Sequence, residues 1–125
     1  MKWLTATIVL LVLGASFAFA AGARDITSRE AKSLLEKNKK VFLLDVRTPD
    51  ERRQGYIAGS VLIPIDAVEK RMGEVPRNRP VLVYCAVGSR SGVVAQALAR
   101  QGYGEVYNMK DGILGWYRNG FAIQR

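Results

Sequence analysis

The only cysteine of the chain stands where an apolar run meets a short loop of small residues. Cys85 follows Val81-Leu82-Val83-Tyr84 and precedes a loop that the pattern predicts to open a helix. The first N–H groups of a helix have no intrahelical partner and carry the positive end of its dipole. Such surroundings lower the pKa of a thiol and make it a nucleophile. The sequence therefore predicts a reactive thiolate at Cys85.

The loop after the cysteine has the composition of an anion cradle. It consists of Ala86, Val87, Gly88, Ser89, Arg90 and Ser91. Gly88 can adopt the positive φ angles that turn successive N–H groups toward one anion, and its small neighbours leave the approach open. Arg90 adds a permanent positive charge for an anionic substrate or a charged sulfur. The structural alternative is a buried core cysteine, since free cysteine is among the most buried residue types.

The absence of histidine narrows the chemistry. It excludes Ser-His-Asp and Cys-His catalysis, and together with the single cysteine it removes the usual structural zinc ligand sets. We expect no metal and no cofactor. No histidine base activates Cys85, so the backbone dipoles and Arg90 have to stabilise its thiolate.

These residues resemble the single-domain rhodaneses, which carry sulfur as a cysteine persulfide in a six-residue loop that runs from the cysteine to a basic residue. The stretch from Cys85 to Arg90 has that length. Tyrosine and dual-specificity phosphatases use a similar cradle with one more residue between cysteine and arginine, which makes room for a phosphoryl group. The loop length thus favours sulfur over phosphorus.

Two other segments carry the same resemblance in the same order. Residues 43–51 and 55–64 are similar to the upstream rhodanese signature, and residues 111–116 are similar to its closing glycine and tryptophan motif. The chain departs from the family at Tyr56, where histidine is common, and at Asp111, where a second glycine is usual before Gly112. Neither departure lies in the cysteine loop.

The resemblance implies a function and its participants. It implies a thiosulfate sulfurtransferase that moves sulfane sulfur from thiosulfate or a persulfide donor to a thiol or cyanide acceptor through a Cys85 persulfide. The partners would be a small anionic donor, the acceptor, and an unidentified protein that takes up sulfur. In this interpretation the N–H groups of residues 86–91 hold the outer sulfur and Arg90 helps to bind the donor. The alternative is a non-catalytic rhodanese-like binding or regulatory module in the periplasm.

Apolar runs alternate with helix patterns along the chain, which is typical of an α/β domain built on a largely parallel sheet. Residues 41–46, 81–84 and 105–109 are predicted strands. Thr27 and Glu30 form a capping box, as do Thr48 and Glu51, and the helix after Cys85 should present Val93, Val94, Ala97 and Leu98 to the sheet. With the resemblance, this predicts a three-layer rhodanese-like domain with helices on both faces of the sheet.

Three charged residues follow the strand at 41–46 and have the residue types of catalytic groups. Asp45, Arg47 and Glu51 are instead assigned structural support. We expect Asp45 and Arg47 to pair with loop N–H groups and with Glu51, which would hold the strand ends that surround the cysteine. Trp116, at helical spacing, is predicted to lie in the core.

Length and composition are consistent with one domain over residues 21–125. The 125 residues are 49% hydrophobic, which is ample for a core, and carry a net charge of +8. The basic residues are scattered and not interleaved with aromatic residues, so we expect no nucleic-acid partner. We interpret these basic residues as an ordinary solvated surface. The functional alternative is that their charge steers small anions toward Cys85.

The first residues differ in composition from the rest. Lys2 precedes a strongly apolar centre at residues 8–13, and Ala18-Phe19-Ala20 matches a cleavage pattern. We interpret residues 1–20 as a signal peptide and expect a periplasmic protein. The alternative is that these residues stay uncleaved as a membrane anchor, in which case we expect the protein to contact the membrane only through them. One unpaired cysteine in an exported chain indicates a reactive thiol or an intermolecular partner.

Overall fold

Five short strands form one parallel sheet at the centre of the protein. The structure is a computed structural model that describes residues 22–125, so the predicted signal peptide lies outside the described residues. In chain order the strands are β1 (Arg24–Ile26), β2 (Phe42–Asp45), β3 (Val61–Leu62), β4 (Val81–Tyr84) and β5 (Val106–Met109). Their order across the sheet is β1-β5-β4-β2-β3, and every neighbouring pair is parallel.

Helices cover both faces of this sheet, as the sequence predicts. They are α1 (Ser28–Lys37), α2 (Pro49–Gln54), α3 (Val68–Arg71), α4 (Ser89–Arg100) and α5 (Gly112–Arg118), with 3₁₀ turns at Ile65–Ala67 and Met72–Glu74. Core residues of α3 and α4 pack on one face, and those of α1 and α5 pack on the other, where Trp116 is buried. Parallel sheets need this double cover, since strands buried on both faces are apolar almost throughout. The α/β three-layer class is therefore confirmed.

Side-chain alternation along β4 decides where the cysteine points. Leu82 and Tyr84 belong to the core under α1 and α5, whereas Val81, Val83 and Cys85 belong to the core under α4. Successive side chains of a strand point to opposite faces, so the position after Tyr84 must face α4. The chain then turns and starts α4 at Ser89. The strand therefore aims Cys85 at the first turn of the helix that follows it.

The two predicted capping boxes are confirmed. The Thr27 and Thr48 side chains accept N–H bonds from Glu30 and Glu51, and each glutamate bonds back to the backbone N–H of its threonine. On α4 the predicted inner face is partly wrong, because Val93 is 63% exposed and Ala95 is buried in its place. Successive residues of a helix lie about 100° apart, and the buried face of α4 is centred on Val94, Ala95 and Leu98, which leaves Val93 on the solvent side. No helix within residues 22–125 is long and apolar enough to cross a membrane.

Candidate active site

The sulfur of Cys85 is surrounded by hydrogen-bond donors. The N–H groups of Gly88 and Ser91 point at Sγ with nitrogen-to-sulfur distances of 3.2 and 3.3 Å, and the Ser91 hydroxyl oxygen lies 3.3 Å from it. Ser91 lies in the first turn of α4, where N–H groups have no intrahelical partner. Burial alone fits a core cysteine, but donors converging on the sulfur fit a group that carries negative charge.

The loop is held in this shape at both ends, by close packing of Gly88 against Lys110 and by hydrogen bonds from the start of α5. Gly88 has φ +97°, and a Cβ atom on it would lie 2.2 Å from the carbonyl oxygen of Lys110. At the other end of the loop, the N–H groups of Ile113 and Leu114 donate to the carbonyls of Cys85 and Ala86. The start of α5 thus binds loop carbonyls, while N–H groups of the same loop face the sulfur.

These donors set the charge state of the thiol. Burial raises the pKa of Cys85, but hydrogen bonds from the Ser91 hydroxyl and from the N–H groups of Ser91, Val87 and Gly88 lower it by more. The pKa of the thiol therefore lies below its ordinary value. A lowered pKa increases the thiolate fraction at neutral pH, and the thiolate is the nucleophilic form.

Asn108 on β5 belongs to this site, although it is not among the residues predicted from the sequence. Its amide nitrogen donates to an Asp25 carboxylate oxygen at 3.0 Å and to the Gly88 carbonyl at 3.2 Å, so its amide oxygen must face Ser91. The Ser91 hydroxyl donates to that oxygen at 2.6 Å. A hydroxyl has one proton, so while Ser91 donates to Asn108 its oxygen accepts from a protonated Cys85. To donate to an ionised Cys85, the hydroxyl must rotate toward the sulfur and give up its bond to Asn108.

We expect the Ser91→Ala variant to titrate its thiol at higher pH than the wild type. The substitution removes the hydroxyl that lowers the pKa of Cys85 and keeps the backbone N–H. The rate of alkylation by iodoacetamide, followed against pH, should show a wild-type midpoint below the value of about 8.5 typical of a free thiol. The midpoint of the variant should move upward.

Ser89→Ala is the matched control, because Ser89 is exposed and lies in the same loop. Its midpoint should equal that of the wild type. Equal midpoints in all three proteins would show that the Ser91 hydroxyl does not stabilise the thiolate.

Arg90 is held by a carboxylate. Its two terminal nitrogens each lie 2.8 Å from an oxygen of Glu51, in a bidentate pair. The Arg90 guanidinium lowers the pKa of Glu51 to about 2, with the bonds to Thr48 acting in the same direction. The sequence assigns the charge of Arg90 to an anionic substrate or a charged sulfur. The structure ties this guanidinium to α2 through Glu51, and both Glu51 and the nearby Cys85 raise the pKa of Arg90.

Asp45 and Arg47 form a second, deeper ion pair. Arg47 donates its backbone N–H and two guanidinium nitrogens to the Asp45 carboxylate, at 2.9 to 3.1 Å. Arg52 and the Tyr84 hydroxyl also donate to Asp45. Arg47 reaches only the backbone carbonyl of Glu51, at 3.5 Å, so the expected pairing with the Glu51 side chain is replaced by the Glu51–Arg90 pair.

The remaining loop positions differ in exposure. Val87 and Ser89 are exposed, Ala86 and Arg90 are half-buried, and Cys85, Gly88 and Ser91 are buried. Cys85 itself is 0% exposed, so the atoms that cover Sγ must move before a donor reaches it. Within residues 22–125 no group of histidine, cysteine or acidic side chains is arranged to hold a metal ion.

The two departures from the family pattern have structural roles of their own. The Asp111 carboxylate accepts bonds from the N–H and hydroxyl of Ser28, which ties the start of α1 to the start of α5. The Tyr56 ring lies under the guanidinium of Arg52, 4.0 Å from ring centre to carbon. Neither residue contacts the sulfur.

Comparison with known proteins finds the family that the motifs resemble. The family model described as Rhodanese-like domain matches residues 27–119. A protein of Allochromatium vinosum named Sulfurtransferase is 38% identical over 99 residues, which cover 79% of this chain and 92% of that protein. Thiosulfate sulfurtransferase GlpE of Coxiella burnetii is 32% identical over 93 residues, which cover 74% of this chain and 86% of that protein.

Solved structures agree on the fold. The crystal structure of a rhodanese-like domain protein from Staphylococcus aureus superposes with a TM-score of 0.72 at 32% identity. The match covers 82% of this chain and 99% of that one. The matched architecture therefore spans most of residues 22–125.

Proposed function

The chain belongs to the rhodanese-like family of sulfurtransferases, and from that premise we propose that it transfers sulfane sulfur through a persulfide on Cys85. The observation that carries the proposal is the set of donors around one sulfur: the N–H groups of Gly88 and Ser91 and the hydroxyl of Ser91. Fixed donors of this kind stabilise a sulfur anion without rearranging during the reaction.

In the first half-reaction the Cys85 thiolate attacks the outer sulfur of thiosulfate. A bond forms between Sγ and that sulfur, the sulfur–sulfur bond of thiosulfate breaks, and its electron pair leaves with sulfite. Cys85 becomes a persulfide whose outer sulfur carries the negative charge. This is covalent catalysis, in which one difficult transfer is divided into two easier ones.

In the second half-reaction a nucleophilic acceptor, either cyanide or a thiolate, attacks the outer sulfur. A new bond forms to the acceptor, the bond between Sγ and the outer sulfur breaks, and its electron pair returns to Cys85 as thiolate. No external oxidant or reductant is needed. A lowered pKa of Cys85 favours this step too, because a weaker base is the better leaving group.

The direct test is the intact mass of the purified protein before and after incubation with thiosulfate. We expect the mass to increase by one sulfur atom and to return to its starting value on addition of cyanide, with thiocyanate released. An unchanged mass with thiosulfate, and also with a low-molecular-weight persulfide donor, would contradict the carrier mechanism.

Two observations favour a second candidate, a binding module with incidental sulfur chemistry. Cys85 is fully buried, and the Arg90 charge is already paired with Glu51. A domain that presents its loop to a partner protein needs neither an open sulfur nor a free cation. Fold alone does not decide between these functions.

Arg90→Ala separates the two candidates. If Arg90 binds the donor, its loss should lower kcat/KM for thiosulfate by about tenfold, as expected for one charge-assisted hydrogen bond. The effect should lie mainly in KM, because Sγ keeps its backbone donors. Steady-state kinetics over a range of thiosulfate concentrations measures this.

The matched control is Arg53→Ala, which removes an exposed arginine of α2 that pairs with Asp50. It should leave kcat/KM within about twofold of the wild type, since exposed ion pairs contribute little. Unchanged turnover in Arg90→Ala, combined with weaker capture of a partner, would favour the binding module.

A further inference from the structure

Six exposed cations gather at the end of the sheet that lies opposite Cys85. They occupy the segments that lead into the amino ends of β2, β4 and β5: Lys37, Lys39, Lys40, Arg77, Arg79 and Arg100. We call this set the basic end. Two of its arginines join the three segments, because Arg79 donates to the Lys40 carbonyl at 2.9 Å and Arg77 donates to the Gln101 carbonyl at 2.7 Å. The basic end is therefore one connected surface.

The charges at the two ends of the sheet are organised differently. Near Cys85 the arginines are paired with acids, as in Arg47–Asp45 and Arg90–Glu51. Among the ion pairs of residues 22–125, none includes a member of the basic end. Two exposed acids, Glu36 and Glu105, lie in the same segments, and the six cations outnumber them. Unpaired cations on one surface create a positive potential that attracts an extended anionic partner.

The entry point of the chain lies at the same end of the sheet. β1 begins at Arg24, opposite Tyr107, the second residue of β5, and all strands run in the same direction. The described residues therefore begin on the side of the basic end, and the apolar residues 3–21 immediately precede them in sequence. The point where a sequence with the composition of a membrane leader or anchor meets the domain thus lies at the same end as a surface of unpaired cations.

We propose that the basic end rests on the anionic phospholipid surface of a membrane, with the Cys85 loop facing away from it. Basic residues next to a bilayer each contribute about fivefold to binding, and the attraction falls with salt. A nucleic acid fits this surface less well. The nearest rings offer no free face for base stacking, because Tyr103 is buried beneath Arg77 and the half-buried Phe42 lies beneath Arg79.

A lysine footprint on the full-length chain tests the proposal independently of sulfur transfer. The protein is added to vesicles of phosphatidylcholine alone, or with about a quarter phosphatidylglycerol, which supplies the anionic surface. Amines are acetylated and read one by one by peptide mass spectrometry. Both vesicle types accommodate the apolar N-terminal segment, so the comparison isolates the effect of lipid charge.

We expect Lys37, Lys39 and Lys40 to react at least about threefold more slowly on the anionic vesicles, and the protection to vanish at high salt. Lys70 and Lys110, exposed elsewhere on the domain, should react equally on both. Equal labelling of all five lysines on both vesicle types would overturn the proposal. Protection by single-stranded RNA without protection by anionic vesicles would also overturn it.

A pair of charge-matched variants completes the test. K37Q/K39Q/K40Q removes three cations from the basic end, while R29Q/R53Q/K110Q removes three exposed cations that follow the carboxyl ends of strands. Hydrogen exchange of the backbone amides of residues 101–105 reports on docking in both. We expect protection on anionic vesicles to be lost in the first variant and kept in the second. The same response in both variants would contradict a dedicated surface.

Discussion

Cys85→Ser is expected to abolish sulfur transfer, lowering thiosulfate:cyanide turnover by at least about 1,000-fold. Serine has nearly the same shape and can accept the same N–H bonds from Gly88 and Ser91. Its hydroxyl, however, is not ionised near neutral pH, and oxygen does not form the persulfide that the mechanism requires. Release of thiocyanate, compared between wild type and variant at equal concentration, measures the loss.

The chain itself supplies a strict control for this experiment, since it has no second cysteine. Any persulfide found in the wild type must be on Cys85, and the variant should gain no mass on incubation with thiosulfate. The thermal unfolding of the variant should remain cooperative, which would show that the fold is kept. Full turnover by a folded Cys85→Ser protein would exclude covalent transfer through this residue.

The parts of the site that follow from local patterns could be predicted from sequence. The β4 run, the glycine after Cys85 and the start of α4 are neighbours in the chain, so a strand ending at a helix start follows directly from them. The capping boxes at Thr27 and Thr48 are equally local, because they join residues three positions apart.

Contacts between distant segments could not be predicted in the same way. Glu51 and Arg90 are 39 residues apart, and their pairing depends on where α2 lies relative to α4. Strand β1 has only three residues, two of them charged, and is defined by its pairing with β5. Short edge strands of this kind carry too little apolar periodicity to be distinguished from a loop.

Asn108 is an intermediate case, because a signal for it was present in the sequence. It is a polar residue within the predicted strand at 105–109, and β5 pairs directly with β4, Asn108 lying opposite Val83. Parallel strands side by side place such partners on one face, which is also the face of Cys85. A buried polar side chain next to a candidate nucleophile requires a partner, and that requirement points to Ser91.

Gly88→Ala should have the second large effect, on both stability and activity. A Cβ at φ +97° costs about 1–2 kcal/mol for the backbone conformation alone. The added atom would also lie 2.2 Å from the Lys110 carbonyl oxygen, so the loop must move. Overpacking of this kind typically costs a further ~1–3 kcal/mol. Movement of the loop withdraws the Gly88 N–H from the sulfur and should lower kcat/KM by on the order of 100-fold.

Gly59→Ala separates backbone conformation from the contact with Lys110. Gly59 also has a positive φ, +84°, but a Cβ there would meet no atom within 4 Å. This variant should lose only the backbone contribution of about 1–2 kcal/mol and keep its activity.

Denaturant unfolding and steady-state kinetics on both variants test the difference. If both lose equal stability and Gly88→Ala stays active, the close approach of Gly88 to the Lys110 carbonyl is not what aims the N–H groups at Cys85. A larger loss confined to Gly88→Ala, together with an upward shift of the alkylation midpoint, would instead tie the thiolate of Cys85 to this one backbone contact.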